Sequence, residues 1–518
     1  MRRAGLVIAF LLALGAVYSQ DAETARYEVT RWGKDQGCRF VSFAQAGGMM
    51  VAETDQTDDD KNRLWNFIAL DSSLYEQRSD LIPLPSKMRL IDAQASARWA
   101  AFLFVGDKVG RSDSIPYCVV AYQRQERQFS TFTDRLPERS VPLSMAMLDG
   151  SLMVPVNNKA GNGFLLHCDL DNHTQRAIKP DLQDDFVLFQ CAADEREQAF
   201  VVAAREYVEK RYKATAFMVY SPSGLLKQRH RFDNGENAAL GRMCFDFDAA
   251  HHLTVYATLE RENNRKVDVE GVTDDFNRTA VGVTWIQFAE ATLTRTYLFK
   301  DLPDIDQALT ASDRLRVREE ELKLRKGKKK EKGEVAFQFL TPRLVRYGDR
   351  VVFAAEAFQP VFHTETRFDY GYYNYYGTYP RYYTVFDGYL FFSEVLLAFD
   401  GEGGLSWHTS VRFENDLTDN LTPHAAELVS HDELVVVSPS HHVLRYSVFD
   451  HDGTLLLDQQ STQLDFLLGA DTFEDEYDAG VLPWFGDRFL VHGCQILHNG
   501  MLRAPRRTVF YVQKVKYE

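Results

Sequence analysis

The chain has 518 residues, 45% of them hydrophobic and 26% charged, so it can build a large apolar core and is not globally disordered. Its formal net charge of −15 excludes a nucleic-acid partner, because phosphate recognition needs a basic footprint. The six cysteines (Cys38, Cys118, Cys168, Cys191, Cys244 and Cys494) are widely spaced with no C-x-x-C pair, which excludes the usual zinc spacings. They lie in apolar runs where cysteine acts as a small buried hydrophobe.

At the amino end, "MRRAGLVIAFLLALGAVYSQ" puts Arg2 and Arg3 before an apolar stretch at 6–17, with small residues Val17 and Ser19 at the positions a signal peptidase reads. Residues 1–19 are expected to be a cleaved signal peptide, leaving 20–518 as an exported protein, periplasmic or extracellular. The apolar stretch is short for a membrane span and no later run of about eighteen apolar residues follows, so no transmembrane segment is expected after cleavage. Next, "RYEVTRW" (26–32) reads as a strand with no repeat unit of its own.

From there short apolar runs rich in β-branched and aromatic residues dominate. One kind of hairpin has a tight polar turn, as in "SMAMLDGSLMVPV", "RLVRYGDRVVFAAE" and "VLPWFGDRFLVHG"; Asp149-Gly150, Gly348-Asp349 and Gly486-Asp487 are residues for which positive φ is cheap. A second hairpin follows each time, as in "LLHCDLDNHTQRAI", "VLLAFDGEGGLSWHT" and "YSVFDHDGTLLLDQ". Units begin near Cys38, Met88, Val141, Phe186, Met243, Phe337, Thr422 and Tyr477, each a four-stranded meander A–B–C–D with a period of about 50 residues. This pattern predicts an all-β fold, an eight-bladed β-propeller forming one domain over 20–518. The last unit lacks its D strand, and the orphan strand at 26–32 is expected to supply it and close the ring, removing two raw sheet edges. Seven blades are the alternative if the fifth or sixth unit divides differently.

Within this frame "FDHDGT" (449–454), which resembles the nucleophile motif of haloacid-dehalogenase-type phosphatases, falls on the C–D turn of the seventh unit, where the sixth has "FDGEGG" and the fourth "SPSG". No βαβ pattern follows Asp458, so the stretch is read as a hairpin turn.

In such meanders the B–C and D–A connections share one end of the sheets, and the long insertions fall there. The link at 301–334 carries "SDRLRVREEELKLRKGKKKEKGE", read as a short charged helix capped by Ser312 and ending at Gly327, with ten Lys/Arg against five Asp/Glu between Asp313 and Gly333. Its candidate docking residues for an acidic group are Arg325, Lys326, Lys328, Lys329 and Lys330. The insertion at 363–389 carries Tyr370, Tyr372, Tyr373, Tyr375, Tyr376, Tyr379, Tyr382 and Tyr383, whose rings with hydrogen-bonding tips suit a recognition surface for protein or sugar. The alternative reading is a long ordered hairpin whose tyrosines pack on one another.

The acidic run "DQTDDDKN" (55–62) lacks the spacing of an EF-hand loop. The pairs His251-His252 and His441-His442 would point to opposite faces of a strand, which disfavours shared metal ligation. No catalytic motif and no cofactor motif is recognised, and no metal is expected. The signal ending in "SQ", the β units, "VVFAAEAFQP", the Tyr-rich insert and "LLAFDGEGGLSWHTSVRFEND" together resemble a group of uncharacterised exported β-propeller-like proteins of Bacteroidetes; the resemblance covers 301–415 and implies no activity. Residues 403–407 also resemble one quinoprotein-type repeat, but the other units lack the tryptophan, so no quinone is implied. The functional expectation is a binding or scaffolding module for a protein or glycan at the cell envelope. The alternative is a propeller-type polysaccharide hydrolase or lyase with carboxylates near the central channel.

Overall fold

The computed structural model describes residues 25–31, 37–43, 46–106, 114–158, 163–182, 185–209, 211–235, 239–262, 278–326, 334–369, 379–418, 420–501 and 505–517. The expected signal peptide lies outside these residues, as does Trp32. Within them the chain is all-β and propeller-like, with eight antiparallel sheets and one α-helix, Ala311–Arg325 (α1). Among the described residues no helix is long and apolar enough to cross a membrane.

The sheets follow the chain: 38–84, 88–136, 140–178, 185–233, 239–298, 338–418, 426–463 and 472–516, each pairing its strands in sequence order. The first strand of the third sheet is broken into Ser140–Pro142 and Ala146–Leu148, and that of the sixth into Gln338–Phe339 and Arg343–Tyr347. The seventh sheet starts at Ala426, four residues later than the sequence suggests, and the eighth at Thr472, five earlier.

Second and third strands are apolar on both faces because each sheet is covered on both sides. Trp99–Gly106 is buried throughout, and Ile115–Gln123 nearly so. Fourth strands are mostly exposed, as in Leu226–Asp233 and Leu455–Gln463, which marks them as outer edges. Each core cluster sits between two consecutive sheets. Phe67 packs edge-on against Phe102 between the first and second, and Trp285 and Tyr256 meet Phe353 and Phe399 between the fifth and sixth. An eighth cluster joins the last sheet to the first, with Leu490, Phe510 and Val512 against Phe40, Met50 and Ile68. Burying one such side chain contributes about 1.5–3 kcal/mol.

The turns take the conformations their residues allow. Asp149, Gly348 and Gly486 have positive φ in the A–B turns. In the turn once compared with a phosphatase motif, Asp450 Oδ1 accepts from the Asp452 and Thr454 amides, and Asp400 does the same for Glu402 and Gly404. Gly453 has φ of +77°, and a Cβ there would lie 2.5 Å from the Trp407 ring of the preceding sheet, so glycine is required twice over.

The amino-terminal strand Ala25–Arg31 pairs antiparallel with Arg506–Lys516, from Ala25 opposite Lys514 to Arg31 opposite Thr508. It becomes the fourth strand of the eighth sheet. Its charged side chains turn inward: those of Arg26 and Glu28 are 4% and 3% exposed. Arg26 pairs with Glu28 at 2.7 Å, donates to Gln495 Oε1 at 2.8 Å and Asp465 O at 2.9 Å, and lies 4.2 Å over the Tyr511 ring. Arg507 bridges Glu28 and Asp471, and Glu476 accepts from Tyr511 and Gln495. In this network each buried carboxylate has a donor.

Candidate functional site

Strand direction assigns the ends of the array: B strands finish, and A strands begin, at one common end. On that end the sixth sheet departs from the others. Its second and third strands, Arg350–Asp369 and Tyr379–Phe399, have 20 and 21 residues, against 10 each for the fourth sheet's Ala199–Val208 and Arg211–Tyr220. The additional residues carry the pair about 30 Å beyond its neighbours. The fourth strand, Leu405–Thr418, follows only as far as the pairing of Tyr389 with Thr418, so 361–369 on 379–388 is a two-stranded ribbon.

Where the ribbon leaves the sheet, the register shifts between Val361 and Phe362, and Gly388 takes φ of +142°. A Cβ at Gly388 would stand 2.7 Å from the Thr418 carbonyl oxygen, so the bulge needs glycine. Aromatic rings continue from the core into the ribbon's base: Phe358 to Tyr389 at 5.8 Å, Tyr389 to Phe386 at 4.8 Å, Phe386 to Phe362 at 5.6 Å. His363 lies between Asp387 and Glu365, and the hydrogen bond its ring donates to the Asp387 carboxylate holds its pKa above the ordinary histidine value.

Of the two readings of the insertion, the long hairpin is the one its described residues take. Tyr382 is 72% exposed and Tyr383 37%, while Tyr379 opens the return strand. Tyr370, Tyr372, Tyr373, Tyr375 and Tyr376 lie outside the described residues.

The other predicted element, α1, is on the same end, in the link between the fifth and sixth sheets. Its N-cap is Thr310 rather than Ser312: Thr310 Oγ1 accepts from the Asp313 amide at 3.3 Å and donates to the Asp313 carboxylate at 2.8 Å. Thr310 prevails because its hydroxyl reaches the Asp313 amide, one of the helix's open donors, whereas Ser312 falls inside the first turn. The helix ends at Arg325, not Gly327, with Lys326 as C-cap. Val317 is its one buried residue, seated with Phe299, Ile305, Phe337 and Phe339. Arg325 and Lys326 are exposed; Lys328, Lys329 and Lys330 lie outside the described residues.

Beneath these elements is a cluster the sequence reading missed. Arg205 of the fourth sheet and Arg242, Arg278 and Glu260 of the fifth line a cavity of ≈ 40 Å³ that the sixth sheet closes. Arg205 is 7% exposed and stacks 3.7 Å over the Phe189 ring. Arg242 lies 5.5 Å from the same ring, and Arg278 5.4 Å from Tyr212. Glu260 Oε1 accepts from the Arg242 amide and the Thr258 hydroxyl. The signal was available: Arg205 interrupts the apolar run "FVVAAREY", where a charge needs a reason.

A second buried cluster joins the sixth and seventh sheets. Glu356 and Glu394 face each other across paired strands, an arrangement that like charges disfavour. Arg343 sits between them, 2.5 Å from Glu356 and 3.1 Å from Glu394, and makes two contacts with Glu427 at 2.5 and 3.0 Å. Glu356 also accepts from the His424 and Ala425 amides. Glu394 Oε2 is buried without a hydrogen-bond partner. Burial, then the neighbouring Glu427 carboxylate, holds the Glu394 pKa well above the carboxylate range; for Glu427 burial acts upward, but the Arg343 charge and the hydrogen bonds from Glu394 and Arg343 together leave the value lowered. The environment thus pushes the two apart, Glu394 towards its protonated form and Glu427 towards its ionised form. All three carboxylates are buried and tied to Arg343, so a substrate could not reach them without opening the interface between the two sheets.

In the acidic run at 55–62, Asp58 accepts from the Asn62 amide and side chain, which makes it a turn. Among the described residues no group of three or more His, Cys, Asp or Glu is arranged to hold a metal ion.

No protein-family model matches the chain, and no functionally curated protein matches it. Among solved structures it is similar to the β-propeller domain of the Trilobed protease from Pyrococcus furiosus, at 7% identity over 82% of this chain and 95% of that one, with a TM-score of 0.34. It is also similar to Hsv2 of Kluyveromyces lactis, at 11% identity over 83% and 99%, with a TM-score of 0.31. Prolyl oligopeptidase B from Galerina marginata is similar at 6% identity over 89% of this chain and 57% of its own, with a TM-score of 0.35.

Proposed function

We propose that the chain is an exported eight-bladed β-propeller, closed by the strand 25–31, that serves as a binding or scaffolding module at the cell envelope. Its partner is a protein or glycan bearing acidic groups, docked where the ribbon, α1 and the Arg205 cluster converge. Eight sheets in chain order, core clusters joining each to the next and the last to the first, and the pairing of 25–31 with 506–516 support the closed ring.

The ribbon is the observation that carries the functional reading. A two-stranded ribbon standing clear of its sheet is only marginally stable alone in water, and exposed aromatic residues on it favour a partner that covers them. Positive charge on the same end, in a chain of net charge −15, favours an acidic partner.

The test removes 366–384 and joins the shortened strands with an Asn-Gly turn. The trimmed protein should keep the parent's cooperative unfolding but lose retention of envelope proteins and of acidic polysaccharides on a glycan array. Unchanged retention would refute the ribbon as the docking element, and loss of cooperative unfolding would make it structural. Robust polysaccharide turnover by the intact protein would overturn a pure binding role.

A further inference from the structure

A groove of ≈ 640 Å³ lies between the second and third sheets. It is at the same end of the array as the ribbon, since it is lined by the end of the strand Gln128–Leu136 and the start of the strand Phe164–Asp169. Its floor is apolar. Tyr117, Leu136 and Leu166 are buried beneath it, while Phe164 and Phe186 are half-buried and present ring surface.

The rim has the opposite character. It carries three cations, Arg135, Arg176 and Lys179, and one carboxylate, Asp134, and all four are exposed. Two of these cations already have partners: Arg135 Nε donates to Ser114 Oγ at 2.8 Å, and Arg176 donates to the Ser223 carbonyl. Asp134 accepts from the Arg135 amide at 2.8 Å. Lys179 forms no ion pair among the described residues.

Volumes of several hundred Å³ with an apolar floor and a few polar groups characterise small-molecule sites, and ring edges such as those of Phe164 and Phe186 favour an aromatic guest. Three cations against one carboxylate select against a cationic or dipolar guest. We infer that this groove binds a small amphipathic anion, an aromatic body lying on Phe164 and Phe186 with a single carboxylate or sulfonate directed to Lys179. The site is separate from the ribbon, and its occupancy does not depend on the docking role proposed above.

The test uses the intact folded protein and 1-anilinonaphthalene-8-sulfonate as a fluorescent probe. Saturable binding at one site per chain is expected. Naphthalene-2-carboxylate should displace the probe, and the neutral naphthalene-2-methanol should do so about tenfold less well. Lys179→Glu should weaken probe binding by about tenfold. Ala177→Trp places a large ring on an exposed wall position, so it should fill the groove and abolish binding at an unchanged unfolding midpoint. Probe binding that is absent, fails to saturate or survives Ala177→Trp would overturn the site, as would equal displacement by the carboxylate and the alcohol. If Ala177→Trp lowers the unfolding midpoint, Lys179→Glu decides: an unchanged affinity there overturns the assignment.

Discussion

Two buried ionic networks lie at different joints of the array, and they are balanced differently. At the eighth sheet, Arg26 and Arg507 meet Glu28 and Asp471, while Tyr511 and Gln495 donate to Glu476. Between the sixth and seventh sheets, one arginine serves three glutamates, and Glu394 Oε2 has no partner. The first network fastens two ends of the chain; the second holds a proton because the charges do not otherwise cancel. Buried ion pairs add little stability over apolar packing, but removing one partner is costly, so the two sites should answer substitution differently.

The largest effect is expected from deleting 25–31, which strips the outer strand of the eighth sheet and leaves Arg507 and Gln495 without it; cooperative urea unfolding should be lost or its midpoint sharply lowered. Arg26→Ala should cost about 3–5 kcal/mol by leaving Glu28 less compensated in the interior. Arg343→Met should cost a comparable amount at neutral pH, but the loss should shrink as pH falls and the glutamates take up protons. A smaller acid rescue is expected for Arg26→Ala, because Glu28 keeps Arg507 as a partner.

Glu394→Gln should change stability by no more than about 1 kcal/mol, because the amide imitates the protonated acid. Its folded pKa is raised, so the stabilisation from the protonated acid is complete below the ordinary carboxylate range and is lost as pH rises through the folded value. The variant should therefore gain on the parent as pH rises, which urea midpoints from pH 5 to 9 will measure. A variant that falls behind at high pH would show Glu394 to be ionised in the native protein.

The smallest effect concerns His442, stacked 4.0 Å from Phe466 in the joint beside Arg26. Burial, and then Arg26, lowers its pKa to about 4. The unfolded chain takes the proton first, so stability declines as pH falls from about 6.5 towards that value. His442→Phe should flatten this part of the pH profile, and an unchanged slope would assign the acid sensitivity elsewhere.

The sheets were legible in the sequence because their apolar runs and turn residues recur with a fixed period. The tyrosine insertion was legible as a place, and the reading of it as a long ordered hairpin agrees with the paired strands 361–369 and 379–388. The helix was legible to within two residues at each end, with Thr310 and Ser312 competing as caps. The networks were not legible as networks: Arg343 meets Glu427 across 84 residues and Arg507 meets Glu28 across 479. Only their members showed, as glutamates inside "FAAEAF" and "FFSEVLL".

The pairing of Ala25–Arg31 with Arg506–Lys516 imposes an order on biosynthesis. The strand 25–31 must wait for the segment 506–516 to emerge before its mate exists. Until then Arg26 and Glu28 remain hydrated on a nascent chain and the eighth sheet has no outer strand. Joining ends so far apart costs only a few kcal/mol of loop entropy, so the delay is one of timing rather than of thermodynamics.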